Sequence, residues 1–138
     1  MNLETIIKKK ESGQWFEIPG DFFEKEKVQL LLKPISQDDL SGTDATVKKF
    51  NKKTHMPYDD VDRDKRKKNI ENLLFESTGD WKNIDEEFNR ENYDKFINNL
   101  GAVEVGKDDD DEKLTLSGWI TKTCLEPSNF FNNDIENL

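Results

Sequence analysis

A chain of 138 residues and 16.2 kDa has room for one domain and is short for two. Hydrophobic residues make up 33% and charged residues 37%, so the core must be lean, with nine Phe and three Trp supplying much of its area. A net charge of -9 repels phosphates and anionic membranes, and a single cysteine excludes a disulfide framework or a cysteine-rich zinc site.

The first ten residues, MNLETIIKKK, carry their charges after a short apolar pair, so they do not read as a signal peptide. Residues 1–12 are expected to be mobile or a brief helix. Two runs follow, Gln14 to Pro19 and Val28 to Pro34, rich in aromatic and β-branched or apolar residues and separated by a polar, glycine-containing connection. They predict an antiparallel pair. Ser36 is a cap for a short helix with Asp38 and Asp39 in its first turn. Asp44 to Lys53 is read as that helix resumed, with Val47 and Phe50 three apart, and a loop holds His55, Pro57 and Tyr58.

Beyond Asp59 the pattern strengthens. Ile70, Leu73, Leu74, Ser77 and Trp81 share one helical stripe, which predicts a helix stopped near Gly79 with Trp81 plugging the corner beyond it. Asn89 caps a second helix to Leu100, where Phe88 staples onto Tyr93 and Gly101 ends it. The acidic run at 106–113 is expected as a solvated loop. A last helix covers about Leu114 to Leu125, and Ser128 caps a terminal turn holding Phe130 and Phe131.

Few residues form a chemical constellation. Asp60, Asp62, Asp64 and Glu71 stand at four positions of a calcium loop, but Lys65 occupies the place that needs glycine, so a solvated helix start is the better reading. His55 is the only histidine, and Cys124 lies on an apolar helix face. Neither has a nucleophile or base beside it in sequence, so no catalytic, cofactor-binding or metal residue is assigned. Trp15 and Phe16 resemble a base-stacking pair, yet the acidic chain favours packing on a helix. Phe22 with Phe23, and Phe130 with Phe131, fall in loop or terminal segments. Each pair is either a partner contact or one buried ring beside one lying on the surface.

The order QWFEIP, LLLKPIS, NLLFESTGDWKNID, FNRENYDKFINNL and SNFF resembles the small tail assembly chaperones of long-tailed bacteriophages and prophages. Trp81, Ile84, Asp85, Phe88, Glu91, Asn92, Asn129 and Phe130 carry the resemblance. It departs at Lys82-Asn83, where glycine often precedes the isoleucine, and at the enlarged acidic loop. What it implies is a non-enzymatic protein, made early in virion assembly, that keeps the helical tape measure protein soluble while tail tube protein polymerises around it. It also implies self-association.

The sequence therefore predicts an α+β fold, predominantly α-helical, with an N-terminal two-stranded antiparallel ribbon packed on three or more short helices. Residues 13–131 are expected as one compact domain, with 132–138 as a C-terminal tail. Trp81, Ile84 and Phe88 form its structural corner; Phe22, Phe23, Phe130 and Phe131 are the candidate partner-binding residues. No cofactor, no direct nucleic-acid contact and no membrane contact are expected, in a cytoplasmic setting. The rival reading is a small acidic phage-encoded inhibitor that mimics nucleic acid to bind a host protein.

Overall fold

The computed structural model describes residues 2–130. Its elements in chain order are α1 (Leu3–Ser12), β1 (Gln14–Glu17), α2 (Asp21–Glu24), β2 (Gln29–Leu32), α3 (Gln37–Ser41), β3 (Thr46–Phe50), β4 (Pro57–Val61), α4 (Arg63–Ser77), β5 (Thr78–Lys82), α5 (Arg90–Leu100), β6 (Glu104–Lys107), β7 (Lys113–Thr115) and α6 (Leu116–Leu125). The expectation of a predominantly helical chain is corrected. Among the described residues seven strands form three antiparallel sheets, β1-β2-β5, β3-β4 and β6-β7, although the α+β character stands.

The expected N-terminal pair is present, with Gln14 opposite Leu32 and Glu17 opposite Gln29, but it is two-thirds of a three-stranded sheet. β5 is the third strand, so Trp81 does not sit in a corner between helices. It lies on the edge strand β5 and pairs with Leu30 of the central strand β2. The misreading has a physical cause. Leu31 pairs with Asp80 and Leu32 with Thr78, which leaves Gly79 as the extra residue of a β-bulge. The bulge turns both Thr78 and Trp81 toward the core, three residues apart, and so continues a helical spacing through a strand.

The expected resumed helix at 44–53 is also a strand: β3 and β4 form an antiparallel ribbon with Thr46 opposite Val61 and Phe50 opposite Pro57. Every ribbon residue is exposed except the half-buried Asp60. Such a ribbon needs no alternation of apolar and polar positions, so period-two patterning could not reveal it. The acidic run 106–113 is likewise the turn of a hairpin rather than a plain loop. The Asp108 carboxylate accepts from the Asp110 and Glu112 N–H groups, and Asp111 takes a φ of 60°.

The helices follow their caps. Ser36 and Asp39 form a reciprocal capping box on α3; Asp62, Asn89 and Thr115 cap α4, α5 and α6. α1 occupies the segment expected as mobile or briefly helical, with the Asn2 side chain accepting from the Glu4 and Thr5 N–H groups. One face of the central sheet closes on α4, α5 and α6. Leu30, Leu32, Leu74, Trp81, Tyr93, Leu116, Ile120 and Cys124 form a continuous core with Ile18, Phe23, Val105 and Phe130. Gly20 permits one close approach: at φ 95° it lies against β6, where a Cβ would meet the Val105 Cα at 2.9 Å. No helix among the described residues is long and apolar enough to cross a membrane.

Candidate functional site

The densest aromatic cluster lies where β5 runs toward α5. Trp81 meets Phe88 edge-on at 5.2 Å and Phe96 at 5.7 Å, and its indole N–H donates to the Glu86 carbonyl at 2.9 Å. Phe88 also stacks on Phe75 at 5.7 Å and meets Tyr93 at 5.8 Å, the staple expected from sequence. Tyr93 is buried, its hydroxyl 2.9 Å from that of Thr78 and 3.1 Å from the Leu74 carbonyl. Burial pushes its phenol well above the usual range. Ser77 and Thr78 donate to the same Leu74 carbonyl, so three hydroxyls close the C-terminal end of α4.

This cluster is closed on the core side and open on the other. Asp21 to Glu24 make a single helical turn that drives Phe23 into the core, against Phe96 at 6.3 Å, and leaves Phe22 59% exposed. Between α2, the end of β5 and α5 lies a groove of about 450 Å³, whose apolar wall is formed by Phe22, Phe23, Trp81, Ile84, Phe96 and Leu100. Glu26, Glu86, Asn92, Lys95 and Asn99 stand among its lining residues and supply its polar groups. Asn83, at the edge of this region, holds a φ of 66° and donates its side-chain N–H to the Lys27 carbonyl at 2.8 Å. A larger groove of about 920 Å³ between α3, α4 and α6 is lined by Leu40, Ile70, Leu74, Leu114, Trp119 and Leu125, with Lys122, Glu126 and Asn129 among its polar groups; it lacks an exposed aromatic ring like Phe22 at its lip.

The structure thus separates residues that the sequence reading grouped. Phe22 and Phe23 both reach the groove, one as an exposed ring and one as its floor. Phe130 is buried in the same core but away from the groove, against Phe16 of β1 at 5.7 Å. Phe131 lies outside the described residues. Ile84, half-buried, belongs to the groove as well as to the corner that Trp81 and Phe88 were expected to form. Phe96 and Leu100 are groove residues that were not among the candidates named from the sequence. Their signal was present: the α5 stripe of Tyr93, Phe96, Ile97 and Leu100 is wider than one neighbouring element covers.

Other candidates are placed elsewhere. Trp15 is at the sheet edge with the Lys82 ammonium over its ring at 4.1 Å, while Phe16 turns inward. His55 sits at the exposed tip of the β3-β4 ribbon. Cys124 is a free, buried thiol pushed up to about 11 by that burial. Asp60 pairs with Lys49 at 2.8 Å and Asp62 caps α4, and no group of three metal-ligating side chains gathers among the described residues. No family model matches the chain, and comparisons with curated proteins and with solved structures return no match.

Proposed function

We propose that this chain is a non-catalytic assembly chaperone, which takes an apolar stripe of a helical partner into the groove between α2, β5 and α5. The partner is the tape measure protein of a long phage or prophage tail, as the sequence resemblance implies, and the setting is the cytoplasm of the bacterial host. One observation carries the reading: Phe22, on a single turn of helix, stands largely in solvent at the lip of a groove floored by Phe23, Trp81 and Phe96. An exposed ring beside a preformed apolar trough suits a helix presenting residues at i, i+3, i+4 and i+7. Two carboxylates, Glu26 and Glu86, against the single Lys95 favour a partner helix with basic flanks. Asn83 adds support, because its left-handed backbone is the conformation a glycine at that point of the related motif would favour.

Co-expression tests the proposal directly. The soluble fraction of the tape measure protein should rise with the intact chain and fall back with Phe22→Asp, a change at an exposed position that leaves the core intact. A tape measure protein equally soluble with and without this chain would sink the reading.

A further inference from the structure

Charge is strongly segregated in this fold. Residues 46–68, which form β3, β4 and the start of α4, hold nine of the chain's 21 Lys and Arg but only four of its 30 acidic residues. That segment is +5 and the rest of the chain -14. Lys49 and Arg66 have carboxylate partners, Asp60 at 2.8 Å and Asp44 at 3.7 Å. The other seven cations, among them Lys52 and Lys53 at the tip and Arg63 and Lys67 at the base, make no ion pair among the described residues.

Aromatic surface accompanies these cations. Phe50 is 67% exposed and Tyr58 47% exposed, and the register places them on opposite faces of the ribbon, with Lys48 on the face of Phe50 and Lys49 on that of Tyr58. A two-stranded ribbon open on both faces is marginal alone in water. At its base a cleft of about 750 Å³ brings Arg63, Arg66 and Lys67 together with two carboxylates, Asp60 and Glu71, and faces Gly101 and Ala102 on the other side. Protein interfaces are depleted in lysine, whereas a nucleic-acid strand offers phosphates to the ammonium groups and base faces to the rings. A duplex would hide those base faces.

We propose that the β3-β4 arm, with the cations at its base, binds single-stranded nucleic acid: phosphates track Lys52, Lys53, Arg63 and Lys67, and bases stack on Phe50 and Tyr58. The acidic remainder of the molecule keeps the strand on the arm by repelling it elsewhere. This site is separate from the apolar groove and does not depend on it.

Anisotropy of a labelled oligothymidylate of about 20 nucleotides, titrated with the full chain, is the test. Four to five phosphate contacts give a slope of log affinity on log salt of about -3, a loss of roughly 60-fold between about 50 and 200 mM salt. Lys52→Glu with Lys53→Glu should weaken binding at least about tenfold, and Phe50→Ala with Tyr58→Ala should weaken it at similar salt slope, both with unchanged melting temperature. Phe22→Asp should bind as the parent does. No binding at low salt, equal binding of duplex, or affinity indifferent to these substitutions overturns the proposal. A salt-sensitive dimer that the arm substitutions dissolve, without oligonucleotide binding, would also overturn it and reassign the arm to the acidic face of a second copy.

Discussion

Trp81 shows how one side chain ties a sheet to a helix. Its ring is buried among Phe88, Tyr93 and Phe96, and its N–H is satisfied by the Glu86 carbonyl. Trp81→Ala should therefore cost about 3–5 kcal/mol, lowering the melting temperature by roughly 10–20 °C. Trp81→Phe, which keeps a ring against Phe88 and Phe96, should cost less than half as much. Cys124 gives a second residue-level expectation. Its buried thiol is pushed up to about 11, so a thiol reagent at neutral pH should label it only as fast as the core opens. Because the folded value is raised, the folded state holds its proton longer than the unfolded chain does. This contribution is complete below the ordinary thiol range and is lost as pH rises toward 11. Of the residues singled out from sequence, the burial of Trp81 and Cys124 was legible from their apolar neighbours. The division between Phe22 and Phe23 was not, because a single turn of helix sends adjacent side chains in different directions and only the surrounding core decides which one enters.

Elements were legible where caps and stripes agree and illegible where a strand borrows another period. Asn89, Phe88 and Tyr93 together specify α5, and Ser36 with Asp39 specifies α3. β5 was hidden by the bulge at Gly79, and β3 and β4 by the absence of any buried face. The arm has a pH dependence of its own. Lys49 holds the Asp60 carboxyl below its usual 3.8, chiefly through their hydrogen bond, with a further bond from the Val61 N–H. A depressed carboxyl contributes order that is present above its unfolded value and lost as pH falls through the folded one. Amide exchange in residues 46–61 should accordingly rise below about pH 3.8, while Leu30 and Ile120 in the core stay protected. Asp60→Asn should reproduce the loosened arm at neutral pH. If exchange in the arm follows the core at every pH, the Lys49–Asp60 pair does not organise it.

At the scale of the whole molecule, one lean aromatic core was readable from composition, because nine Phe and three Trp in a chain so charged have few other places to go. The groove and the arm were not, because both arise from juxtaposition: the groove from α2 meeting α5, the basic arm from a ribbon continuing into α4. A net charge of -9 averages over that arrangement and conceals it. The consequence extends beyond contact. With +5 gathered on the ribbon and the start of α4 and -14 spread over the rest of the chain, the protein carries a charge asymmetry as well as a net negative charge. In the field of any large polyanion its centre of charge is repelled while its arm is drawn forward, so it turns before it touches. Orientation is settled in the last Debye length of approach, and lowering the salt sharpens the aim rather than simply strengthening the repulsion.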